Sequence, residues 1–116
     1  MGETLHNKLV RDLIPDILSK KGITCRTRVL TDPEFRPALL AKLQEETSEY
    51  LHAQTPQERN EELADILEVV LALLALDGSI LSDLERIRQE KLRHRGGFTQ
   101  KIFLEKTISA DSSEKS

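Results

Sequence analysis

The chain has 116 residues, 20 acidic against 17 basic, for a net charge of -3, with 38% hydrophobic residues and one cysteine. That length fits one domain with a single core, and with only 3% aromatics the packing must rest on aliphatic side chains. The near balance of charge excludes a generalised nucleic-acid or anionic-membrane binder, which needs a large excess of one sign. Cys25 alone excludes an intramolecular disulfide framework and any cysteine-only metal site, and it points to a reducing, cytoplasmic setting. Met1 to Lys8 is polar rather than signal-like, and the longest apolar run, Val69 to Leu76, is too short to span a bilayer, so no membrane association is expected.

In chain order, Leu9, Val10, Leu13, Ile14, Ile17 and Leu18 recur at helical spacing, with Pro15 restricting regular helix to the residues after it and Gly22 ending it. Thr24 to Leu30 alternates charged and uncharged residues and reads as a short strand. Asp32-Pro33 signals a helix start with Asp32 as the cap, and Pro37 predicts a break before a main helix from Ala38 to His52. Thr55-Pro56-Gln57-Glu58 combines a capping Thr, a first-turn Pro and a Glu three residues after the cap; it opens a helix to Leu76, which Asp77-Gly78 closes. Ser82-Asp83-Leu84-Glu85 reads as a capping box for a fourth helix, ended after Arg95 by Gly96-Gly97. Lys101 to Ile108, rich in β-branched and aromatic residues, is expected to pair with Thr24 to Leu30 as a small two-stranded ribbon. The expected fold is therefore an all-α, four-helix domain over residues 1–108, followed by a disordered serine-rich tail over 109–116. The third helix is apolar nearly all round, which a small domain cannot easily cover, so a homodimer or homotetramer is expected to complete the fold.

The charges are segregated. The second helix carries Glu45, Glu46 and Glu49, and the third carries Glu61, Glu62, Asp65 and Glu68. Residues three apart share a helix face, so Glu46 with Glu49 and Glu62 with Asp65 form two carboxylate pairs that antiparallel neighbours can bring face to face. Carboxylates so gathered repel one another unless a cation neutralises them, and hard oxygen donors suit magnesium or manganese. Arg86, Arg88, Lys91, Arg93, Arg95 and Lys101 crowd the end of the fourth helix and its glycine turn, with Glu90 opposing them. The helix macrodipole accounts for two or three cations there but not six. Lys91 and Arg95 share one face and suit a polyphosphate, and Lys8 and Arg11, ahead of the first helix, are candidates for further phosphate contacts.

Glu45-Glu46-x-x-Glu49, then twelve residues, then Glu62-x-x-Asp65 resembles the signature of the MazG-like all-α nucleoside triphosphate pyrophosphohydrolases. Asn7-Lys8-Leu9-Val10-Arg11-Asp12-x-Ile14-Pro15 and Arg95-Gly96-Gly97-Phe98 look like the ends of the predicted house-cleaning subgroup, so the resemblance spans residues 7 to 104. It implies a four-helix MazG-like bundle and magnesium-dependent hydrolysis of a nucleoside triphosphate to the monophosphate and pyrophosphate. It also implies metal ligation by Glu46, Glu49, Glu62 and Asp65, orientation of the attacking water by Glu45, and phosphate binding by Lys42, Lys91 and Arg95. The chain departs from relatives in having Gln89 where many have asparagine, and Glu68 where the best-known members are apolar.

Two rival readings come from other classes. Glu49-Tyr50-Leu51-His52 has the Glu-x-x-His spacing of di-iron carboxylate bundles, but such sites need a second copy, and neither His6 nor His94 has a glutamate three residues before it. The other rival is a non-catalytic helical adaptor, in which acids and bases zip protomers together. Cys25 has no sequence neighbour to activate it and is expected to serve packing.

Overall fold

The computed structural model describes residues 2–110, so most of the expected tail, residues 111–116, lies outside the described residues. The regular structure among the described residues is all helical: α1 is Ile14–Lys20, α2 Asp32–His52, α3 Pro56–Leu76 and α4 Leu81–Arg95. It falls into two compact units, one running to Leu81 and the other starting at Ser82. No strand is found among the described residues, so the expected ribbon does not form. Both segments leave most of their apolar side chains in solvent (Val29 is 95% exposed and Phe103 86%), and an isolated two-stranded pairing without a covered face is marginal in water. Cys25 is likewise exposed rather than packed.

In the first unit, α1 begins with Pro15 in its first turn, where a missing N–H costs nothing. It ends in a left-handed Gly22 (φ 81°), with Gly22 N–H donating to Ser19 O and Ile23 N–H to Leu18 O. The start of α2 differs from expectation. The cap is Thr31 rather than Asp32, and the helix runs unbroken through Pro37. Glu34 reaches back to accept from the Thr31 N–H at 2.9 Å and its hydroxyl at 3.0 Å, and it takes two further bonds from the Arg28 guanidinium at 3.1 Å. With the first turn fixed in this way, the one backbone bond that Pro37 deletes does not end the helix. These bonds hold the Glu34 carboxyl down at about 2, the Arg28 pairing contributing most.

α3 starts as its sequence predicts, the Thr55 hydroxyl accepting from Glu58 N–H at 3.1 Å, and it closes on Gly78 in the left-handed region. The three residues between α2 and α3 make them a helical hairpin, and these two helices pack along their length. Its seam is visible in the burial. Leu39 and Val69 are buried, and Leu43, Tyr50, Ile66 and Leu73 are half-buried at heptad spacing around them. An ion pair between Arg36 and Asp77 ties the start of α2 to the end of α3. Leu40, Leu51, Leu63 and Leu67 are left about half exposed or more.

The second unit holds α4 from Ser82 onward; the helix itself begins at Leu81, one residue before the expected cap, so Ser82 lies inside the first turn. Glu85 does not return to Ser82; its carboxylate accepts from Arg88 Nε at 2.9 Å and from Gln89 at 3.1 Å, holding it down at about 2. Gly96 (φ 77°) ends the helix, its N–H donating to Leu92 O.

Candidate metal centre

The seam of the α2–α3 hairpin changes chemistry two turns along from its buried apolar pair. Glu46 stands two turns after Leu39 and Glu62 two turns before Val69, so an antiparallel register that matches the apolar residues also matches the acids. Glu46 therefore occupies a position where a seam would ordinarily place leucine, and it is 8% exposed. Asp65, one turn beyond Glu62, completes the group: Glu46, Glu62 and Asp65 each offer a carboxylate oxygen, all within 4.8 Å of one another.

Such a cluster carries an electrostatic cost that shows in its charges. The Glu62 carboxyl is pushed above its ordinary range by partial desolvation first, then by the neighbouring Glu46 carboxyl and the charges of Asp65 and Glu49. Lys42, only 17% exposed, answers part of it from one turn before on α2, donating to Glu45 at 2.9 Å and lying 3.3 Å from Glu46. Burial opposes the Lys42 charge, but these two carboxylates outweigh it and raise its pKa. Glu45 is held below the ordinary range by the Lys42 bond and, further down in importance, by Lys8.

Two more cations arrive from ahead of α1. Lys8 donates to Glu45 at 3.1 Å, and Arg11 to Asp65 at 2.7 Å. Three cations thus face four carboxylates, Glu45, Glu46, Glu62 and Asp65, leaving net negative charge at the seam. The sequence points to Lys8 and Arg11 as phosphate contacts and the resemblance implies the same for Lys42; here all three side chains are engaged with the acids of the seam. Their pairing is the part that sequence reasoning missed. The available signal was two cations three residues apart, with Leu9 and Val10 between them able to seat the segment.

The remaining candidates sit elsewhere. Glu49, one turn past Glu46, is exposed and outside the group of three, though Glu62 feels its charge. On α4, in the second unit, Lys91 and Arg95 line an open groove with Ile87, Glu90 and His94. Arg86 and Arg88 are partly spent on Glu90 and Glu85, so two acids oppose the basic block, not Glu90 alone. His52 is exposed, and its Nδ1 lies 2.8 Å from the Ser48 carbonyl, one turn back on its own helix, which suits a helix end rather than a ligand.

The donor set suits a hard divalent ion: three carboxylates from two rigid helices, without imidazole or thiolate. No helix among the described residues is long and apolar enough to cross a membrane. No protein family matches the chain, and no curated protein or solved structure does so either.

Proposed function

We propose that the chain is a magnesium-dependent nucleoside triphosphate pyrophosphohydrolase of the MazG-like kind, acting in the cytoplasm. The observation that carries this proposal is the meeting of Glu46, Glu62 and Asp65 on facing helices, with Glu46 and Glu62 at seam positions where apolar residues would stabilise the fold at no electrostatic cost. Glu46, Glu62, Asp65 and, from the next turn, Glu49 would hold magnesium or manganese. The ion would supply Lewis acidity toward phosphate oxygens and lower the pKa of a bound water.

The chain's own groups do the rest. Glu45, beside the triad and held as a carboxylate, orients the attacking water, whose oxygen bonds to the α-phosphorus as its proton passes to solvent. The bond from that phosphorus to the α,β-bridging oxygen breaks, and pyrophosphate leaves with the electron pair, giving a nucleoside monophosphate. Lys42 is proposed to hold phosphate through charge-assisted bonds, and Lys91 and Arg95 keep the phosphate-binding role that the resemblance implies for them. The half-exposed Leu63 and Leu67 on one face of α3 support self-association as a homodimer or homotetramer.

A panel of canonical and damaged nucleoside triphosphates incubated with magnesium tests the activity. Equimolar monophosphate and pyrophosphate are expected, and orthophosphate alone would contradict the cleavage site. Absence of any magnesium-dependent product across the panel would favour the helical adaptor.

A further inference from the structure

The two cations ahead of α1 do not pair with local acids. Lys8 crosses 37 positions of sequence to reach Glu45 on α2, and Arg11 crosses 54 to reach Asp65 on α3. Leu9 and Val10, between them, are half-buried while residues 2–8 and 11–13 are exposed. The segment belongs to no helix or strand, and its first backbone bond is Ile14 N–H to Arg11 O, at the start of α1. It is held across both helices by two side-chain ion pairs to acids of the carboxylate group and its neighbour, with Leu9 and Val10 half-buried between them.

We propose that residues 8–11 form a releasable strap: Lys8 and Arg11 are internal counter-cations of the acidic seam, and a divalent cation displaces them. The proposal rests on the metal-binding role given above. Asp65 Oδ1 accepts the Arg11 guanidinium, and Asp65 is one of the three clustered acids, so guanidinium and metal compete for the same carboxylate. The exchange is feasible because both pairs are half exposed: side chains of Lys8 and Glu45 are 44% and 31% accessible, those of Arg11 and Asp65 53% and 39%. Ion pairs of that kind stabilise weakly and break readily. Once released, both cations are available to a polyphosphate, so the strap would couple metal occupancy to substrate binding, offsetting part of the acids' charge when no metal is present and presenting positive charge when it is.

The test uses the full chain with magnesium chloride and no nucleotide. Amine acetylation reports on Lys8 and phenylglyoxal modification on Arg11, both read by mass spectrometry, with Lys20 and Lys21 as internal references. Magnesium is expected to raise labelling at Lys8 and Arg11 at least about 2-fold with the references unchanged. Arg11→Gln should raise magnesium affinity by roughly 2- to 5-fold in calorimetry, the range an exposed ion pair competes for. Asp65→Asn should raise Arg11 labelling without any metal while leaving Lys8 labelling as it was, a readout independent of how Arg11→Gln folds. Magnesium binding with unchanged labelling and unchanged affinity in Arg11→Gln would overturn the strap and leave the metal site standing. No magnesium binding in the wild type would overturn both.

Discussion

Replacing Glu46 with leucine is expected to make the metal-free chain more stable while abolishing its response to magnesium. The Glu46 side chain is 10% exposed and lies at a heptad position of the α2–α3 seam, so a leucine there would be almost wholly removed from water. Burying a leucine side chain contributes about 1.5–3 kcal/mol. Against this stands the loss of the Lys42 contact at 3.3 Å, of order 1 kcal/mol, since Lys42 keeps Glu45 at 2.9 Å. The net is a gain of about 0.5–2 kcal/mol, the usual penalty for removing one partner of a buried pair being avoided because Lys42 keeps Glu45. For a domain near this size that raises the melting temperature by roughly 2–10 °C. Circular dichroism melts in EDTA and in magnesium, with wild type and variant side by side, read both effects. A variant that melts lower in EDTA would show that Glu46 supports the fold, and one that still gains stability from magnesium would remove Glu46 from the ligand set.

Asp65→Asn should keep the helical circular dichroism signal and lose magnesium-dependent turnover, because one ligand charge disappears without a change of shape; retained turnover would exclude Asp65 as a ligand. Glu34 gives a pH prediction whose sign is fixed by its depressed pKa. Its pairing with Arg28 and Thr31 is fully present above its ordinary value of 4.5 and is lost as pH falls toward about 2. Glu34→Gln should therefore flatten that part of the acid-unfolding curve, and an unchanged acid limb would show that the pairing contributes nothing to the fold. Leu67→Glu, on the half-exposed face of α3, should shift the sedimentation profile toward monomer at micromolar concentration, and an unchanged profile would place any self-association elsewhere.

Much of the helical hairpin was legible because its signals are local. Thr55-Pro56 and Asp77-Gly78 bracket α3 with side-chain and left-handed caps that need no tertiary partner, and the structure closes the helix on those residues. Pro37 misled because its cost depends on its surroundings: one deleted bond is tolerated just after a first turn fixed by Thr31, Glu34 and Arg28. The ribbon failed for the opposite reason. Strand pairing is non-local, and composition alone cannot tell a segment that finds a partner from one, such as 24–30, that stays outside regular structure and mostly exposed. At the site, helical spacing was enough to put Glu62 with Asp65 on one face, and the short α2–α3 connection brought Glu46 to them. It could not show that Glu49 lies outside the tight group, since a turn of helix at the edge of a seam faces solvent or partner according to register. Nor could it show that Lys8 and Arg11 reach the acids, because both contacts close long loops.

Direct titration with a divalent ion bears most closely on the central claim, that the acids of the α2–α3 seam are a metal site. Manganese binding followed by electron paramagnetic resonance should show saturable uptake by the wild type, displaced by excess magnesium, and should be lost in Glu46→Gln, Glu62→Gln and Asp65→Asn while Glu68→Gln behaves as wild type. Equal uptake by wild type and all four variants, or no saturable uptake by a correctly folded wild type, would contradict it.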